Sequence, residues 1–114
     1  MNKKDIENFK KTRIQFNEIV MKYSKRNIKR FYSLDSQVYQ EGTLSKKTKE
    51  LLGLIASLVL RCDDCVKYHI IQCFEAKITN EELEEALAIG LIVGGSIVIP
   101  HLRRALLAWD ELQT

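Results

Sequence analysis

Apolar positions recur every three to four residues along most of the chain, and polar caps and turn residues separate the runs. Over residues 5–23, Ile6, Phe9, Phe16, Val20 and Tyr23 keep this rhythm among lysines, which predicts an amphipathic helix. Arg13 interrupts its stripe, so this helix is expected to pack incompletely within its own subunit. A second helix over 27–40 carries Phe31, Leu34 and Val38 on one side, with Gly42 as a stop. Ser45 caps a third over 46–60. A fourth, over 63–76, turns Val66, Ile70 and Phe74 to the core. Thr79-Asn80-Glu81-Glu82 is a capping box ahead of a fifth, which presents Leu83, Leu87 and Leu91 and loosens at Gly94-Gly95. Pro100 fits early in a last helix, about 97–112, packed by Leu102, Leu106 and Trp109. One proline and five glycines in 114 residues leave few breakers. The fold class expected is all-α, with about six helices in a single domain over residues 1–114.

The third helix differs from the rest. From Leu51 to Leu60 it is apolar nearly all round, as a helix central to its domain or buried between subunits is. Down it runs one polar and small seam, Glu50, Gly53 and Ser57. Glycine in a helix interior costs about 1 kcal/mol relative to alanine, so close approach of another backbone is its expected purpose. Glu50 has two readings: a solvated acid in the first turns, where the helix dipole favours it, or an acid turned inward. No glycine or proline marks the boundary between helices three and four. If the two run antiparallel, Glu50 and His69 lie about 15 and 10 Å from the turn, a difference that a glutamate side chain spans. Tyr23, Tyr32 and Tyr39 read as packing at the core edge.

Composition adds a compartment and a charge asymmetry. Apolar residues make up 46% and charged residues 29%, as in soluble globular proteins. No signal-type apolar segment opens the chain, and the apolar runs around 51–60 and 89–99 are too short to span a bilayer, so a cytoplasmic protein with no membrane association is expected. Residues 1–49 hold 13 Lys+Arg against 5 Asp+Glu, a balance of +8, and residues 50–114 hold 5 against 10, a balance of −5. The basic half suits a solvated face or the acidic half of a neighbouring subunit. Nucleic acid is set aside, because the aromatic residues there fall at core spacing and no binding motif is present. The apolar third helix and the interrupted first one lead to the expectation of a homo-oligomer with helix three near a subunit interface.

Candidate chemistry is concentrated in Cys62-Asp63-Asp64-Cys65-Val66-Lys67-Tyr68-His69, a C-x2-C-x3-H run. At the start of a helix this spacing puts both thiols and the imidazole on one face. In a reducing compartment C-x2-C points to redox chemistry or metal binding rather than a structural cross-link. The helix N-terminus and an imidazole one turn on favour a thiolate, while Asp63 and Asp64 oppose it. His69 is then the candidate base, and Glu50 its orienting partner. Zinc and simple packing of the thiols are the alternatives. Cys62, Cys65, His69 and Cys73 stretch over about 16 Å of one helix, too far for one tetrahedral ion, although a three-ligand site completed by His101 is geometrically possible. Cys73 reads as a small buried hydrophobe, and His101 as a surface or cap histidine.

Glu50, with Cys62 twelve residues on and then Cys65 and His69, resembles the E-x11-C-x2-C-x3-H pattern of the alkylhydroperoxidase-D-like proteins of the carboxymuconolactone decarboxylase family. The resemblance extends from about Leu34 through Gly42–Ser45, the Lys46–His69 span, the Thr79–Glu82 turn and Gly94-Gly95. It implies an all-helical thiol oxidoreductase that reduces hydroperoxides. By it, Cys65 is the peroxidatic thiol, Cys62 resolves the sulfenic acid as a Cys62–Cys65 disulfide, and His69 with Glu50 forms a proton relay. It also implies no bound cofactor, a hexamer built as a trimer of dimers, and a dithiol reductant, a dihydrolipoamide-bearing partner in the characterised peroxidases. Those peroxidases carry a second histidine just before the second cysteine, where Asp64 stands here. The runner-up readings are a non-enzymatic dithiol module that senses redox state or binds a metal, and a lactone decarboxylase, whose members typically lack the dithiol.

Overall fold

The computed structural model describes residues 3–114 and is built of six α-helices: α1 (Lys3–Tyr23), α2 (Arg26–Val38), α3 (Lys46–Val59), α4 (Asp63–Glu75), α5 (Asn80–Gly94) and α6 (Ile99–Gln113). A single 3-10 turn, Ser96–Val98, leads into α6. Each of the six helices expected from the apolar rhythm is present. Ser45 caps α3 by accepting the Thr48 N–H at 3.0 Å. At α5 both halves of the capping box form, with Thr79 and Glu82 exchanging backbone and side-chain hydrogen bonds.

Helices α3 to α6 enclose the core. Leu54 and Leu58 of α3, Val66 and Ile70 of α4, Leu83 of α5 and Ala105 and Trp109 of α6 are all buried. The Trp109 indole N–H donates to Asn80 Oδ1 at 2.7 Å, tying α6 to the start of α5. Burying a side chain of leucine or isoleucine size stabilises by about 1.5–3 kcal/mol, so this cluster is the main favourable term of the fold.

The α3–α4 corner that carries the cysteines is made without glycine. Arg61 adopts a left-handed conformation (φ 59°) one residue beyond the cap of α3. Its N–H donates to the Leu58 carbonyl at 3.0 Å, and the Cys62 N–H donates to the Ser57 carbonyl at 3.1 Å. This pair of bonds is a Schellman closure. Lys77 (φ 63°) ends α4 in the same way, with Ile78 N–H on the Cys73 carbonyl at 3.1 Å. Left-handed geometry costs an L-residue about 1–2 kcal/mol, so a glycine is the usual occupant, and without one the helix ends are expected but not the conformation that closes them.

The first helix packs incompletely, as expected, and the second departs from expectation. Ile6 is buried and Phe9 half-buried, but Phe16 and Tyr23 lie open at 62% and 74% exposure. In α2 no residue is buried, and Phe31, Leu34 and Val38 face outward. Phe74 and Leu106, expected on core faces, are also exposed, although Phe74 meets the Trp109 ring edge-on at 5.7 Å between centroids. The aromatic residues of the basic half are therefore surface residues in the single chain, which removes the packing argument used above against nucleic acid. The radius of gyration is 14.7 Å, against about 13 Å for a compact domain of 100 residues. Helix α3 also leaves Leu52 and Leu60 exposed on one side. Among the described residues no helix is long and apolar enough to cross a membrane.

Candidate active site

Cys62 is the N-cap of α4, placed there by the Arg61 turn, and its Sγ accepts the Cys65 N–H at 3.3 Å. The two cysteines are joined as a disulfide, with Cα atoms 5.3 Å apart. The structure is thus of the oxidised dithiol. Cys62 is half-buried and Cys65 exposed. The sulfurs sit at the positive end of the α4 dipole, where negative charge on either one is favoured once the bond is reduced.

Behind the dithiol lies a buried acid–imidazole pair. Glu50 is 2% exposed and His69 7%. His69 Nδ1 lies 2.9 Å from Glu50 Oε1, so the ring donates an N–H to the carboxylate. Of the two readings of Glu50, the inward one is correct. Its second oxygen accepts from Lys46 Nζ at 3.4 Å, one turn back on α3. With Nδ1–H committed to Glu50, a neutral His69 presents the Nε2 lone pair on its other side. There the hydroxyl of Tyr39, the C-cap of α2, lies 3.4 Å away. Tyr39 was read as core-edge packing, and its approach to His69 went unseen.

Gly53 explains how three elements converge. A Cβ built there would lie 2.7 Å from both His69 Cε1 and the Tyr39 hydroxyl, and 2.9 Å from His69 Nε2. The expected close approach is real, but it is made by two side chains rather than by another backbone. Tyr68 covers His69 from the neighbouring position, ring centroids 5.1 Å apart, and the Arg13 guanidinium stacks 4.0 Å above the Tyr68 ring. The residue that interrupts the α1 stripe therefore faces the site. Among the described residues no hydrogen bond joins His69 to either sulfur, and side chains four residues apart on a helix stand about 5–6 Å apart at Cβ. Cys65 and His69 instead share a cavity of about 860 Å³, which Phe9, Arg13, Tyr39 and Tyr68 help to line.

The two aspartates between the cysteines have different surroundings. Asp63 binds His101 Nδ1 at 2.7 Å and Arg104 Nε at 3.0 Å, both from α6. Partial burial alone would raise its pKa, but the hydrogen bonds and positive charge of His101 and Arg104 outweigh it and hold the carboxyl below its usual range. Its charge is thereby offset by α6 rather than directed at the sulfurs. Asp64 stays exposed at the cavity. His101, read as a surface or cap histidine, is the clamp on Asp63. Cys73 is fully buried, and burial pushes its thiol up to about 12, followed by the effect of the Glu50 charge, so it is a core side chain. Among the described residues no cluster of three or more His, Cys, Asp or Glu side chains could hold a metal ion.

A model of the carboxymuconolactone decarboxylase family matches residues 28–108, well over half of the chain. The chain belongs to the carboxymuconolactone decarboxylase family. Two crystal structures from Thermotoga maritima superimpose on this family member with TM-scores of 0.92 and 0.89, at 53% and 54% identity. The first match covers 94% of both chains, the second 93% of this chain and 90% of the other. The second structure is described as a carboxymuconolactone decarboxylase family protein with a possible involvement in the antioxidative response. An uncharacterised protein of Cupriavidus necator is 36% identical over 73 residues, spanning 64% of this chain and 65% of that protein's length.

Within this family member, Gly53 gives a direct test of the packing around His69. Alanine is favoured over glycine by about 1 kcal/mol in a helix interior, while overpacking a filled site costs about 1–3 kcal/mol. Gly53→Ala is expected to lower the urea midpoint, because His69 is held by Glu50 and cannot retreat freely. A raised midpoint would show that the site has room and that the glycine is incidental.

Proposed function

We propose that this protein is a thiol-dependent oxidoreductase that reduces hydroperoxides through the Cys62/Cys65 dithiol. The observation that carries the reading is a Cys62–Cys65 disulfide at a helix mouth, opening on a cavity whose wall holds the buried His69–Glu50 pair. A thiolate is the nucleophile in such chemistry. Cys65 is the exposed sulfur and lines the cavity, so it is assigned the attack. Its thiolate attacks the terminal peroxide oxygen, the O–O bond breaks, and the alkoxide leaves as an alcohol after taking up a proton. Cys65 is left as a sulfenic acid. Cys62 then attacks that sulfur, the Cys62–Cys65 bond forms, and water departs. The sum is ROOH plus two electrons and two protons giving ROH and water. His69 accepts the thiol proton and returns it to the departing oxygen, and Glu50 holds the ring and stabilises the imidazolium.

Two electrons must come back from a dithiol reductant, for which a lipoyl-bearing partner in a reducing cytoplasm is the reading that the family resemblance supports. The description of the Thermotoga structure points the same way. The apolar lining from Phe9, Phe16 and Leu107 favours an organic hydroperoxide over hydrogen peroxide.

Cys65→Ser is expected to abolish peroxide turnover. Cys62→Ser is expected to leave a sulfenic acid on Cys65 that dimedone captures and mass spectrometry locates. Capture on Cys62 in the reciprocal variant, with Cys65 unmodified in wild type, would reverse the two roles.

The same reading includes self-assembly. Ile14, Phe16 and Ile19 of α1 and Phe31 and Leu34 of α2 are large apolar side chains left exposed in the single chain, and exposed apolar area of that kind suits an interaction site. A second copy of this chain is the proposed occupant, because its acidic half complements the basic one that carries these helices. A closed homo-oligomer, the hexamer by resemblance, is expected on sedimentation at micromolar protein and physiological salt. A single species near 13 kDa would refute self-assembly.

A further inference from the structure

We propose that Tyr39 carries the proton between the cavity and His69 Nε2, so that the relay is Glu50–His69–Tyr39 and the tyrosine hydroxyl is its solvent-side end. This inference rests on the dithiol reading of Cys62 and Cys65 and adds a residue to it.

Three observations support the assignment. The first is direction. Nδ1–H of His69 is held by Glu50 Oε1 at 2.9 Å, which leaves the Nε2 lone pair to accept the Tyr39 O–H at 3.4 Å. The distance is long for a hydrogen bond, as is common for catalytic contacts before substrate arrives. The second is space. Helix α3 provides a glycine at the one position where a Cβ would strike both the His69 ring and the Tyr39 hydroxyl, so the slot between them is shaped for both groups. The third is reach. Tyr39, Cys65 and His69 all line the same cavity, while no hydrogen bond joins Cys65 to His69 directly. A hydroxyl can bridge such a gap without net change. It passes its own proton to Nε2 and takes one from the Cys65 thiol.

Other charged or titratable groups face this pair from four helices: Glu50 and Lys46 of α3, Asp35 of α2, Tyr68 of α4 and Arg13 of α1. Burial, then Asp35, Glu50 and Tyr68, raise the Tyr39 pKa above the ordinary phenol value, which keeps the hydroxyl in its donating form. Arg13 acts mainly on Tyr68, whose phenol is raised by burial and lowered in part by that guanidinium.

The test uses the reduced full-length protein and needs no peroxide. Iodoacetamide alkylation of Cys65 is followed by mass spectrometry across pH, in wild type and in Tyr39→Phe. The variant keeps the ring and loses only the hydroxyl, so a packing role predicts no change. In the relay the hydroxyl that links thiol and imidazole also donates to the Cys65 thiolate, so its loss predicts that the midpoint of the alkylation profile rises by about one pH unit, about tenfold slower reaction below it, with the urea midpoint unchanged. In wild type, nitrogen-15 NMR is expected to show neutral His69 with its proton on Nδ1. An unshifted alkylation profile overturns the relay, and so does a neutral His69 ring whose single proton sits on Nε2 instead of Nδ1. If wild type reduces no hydroperoxide while Tyr39→Phe still shifts the profile, the peroxidase reading fails and the relay stands.

Discussion

A carboxylate and an imidazole buried side by side constrain the rest of this molecule. Glu50 and His69 come from different helices, are almost completely shielded, and meet at 2.9 Å. Removing one member of a buried pair strands the other and costs about 3–5 kcal/mol, so the α3–α4 register has little freedom. Everything near the pair follows from that register. Position 53 must be small because the His69 ring lies against it. The turn between the helices must deliver Cys62 to the first position of α4, and it does so through a left-handed Arg61. The disulfide then opens on a cavity one turn from the imidazole.

A second layer of charge surrounds the dithiol. Asp63 lies between the sulfurs in sequence, yet His101 and Arg104 draw its carboxylate toward α6. The acid that seemed to oppose a thiolate instead helps fasten α6 to the mouth of α4. Farther out, α1 and α2 contribute Arg13 and Tyr39 to the site while leaving most of their own apolar faces open. The arm that completes the cavity is thus the same arm that the core holds least. A second subunit covering it would stabilise the cavity wall as well as the helices.

What the sequence made legible was local. The apolar period and the caps at Ser45 and Thr79 located the helices, and the E-x11-C-x2-C-x3-H spacing located Glu50, both cysteines and His69. The ends of α3 and α4 lie within a residue of the expected bounds, but the left-handed closures at Arg61 and Lys77 were hidden because residues with side chains occupy them. The α2 stripe was read as a core face because periodicity says that a face is apolar, not what covers it; on α1 the interruption at Arg13 already signalled incomplete packing. Tyr39 and His101 were missed because their partners, His69 and Asp63, are 30 and 38 residues away. Neither sits in a motif, and only the packing of α2 and α6 brings them to the site.

The central claim is that the Glu50–His69 pair drives proton movement at the dithiol and is more than a buried structural contact. Its most direct measurement is the pH dependence of hydroperoxide reduction by Glu50→Gln, which keeps the shape and a hydrogen-bond acceptor but removes the charge. The account predicts slower turnover in a folded protein, with a changed pH dependence, because the charge that orients the ring is gone. Full activity with an unchanged profile in Glu50→Gln would contradict it.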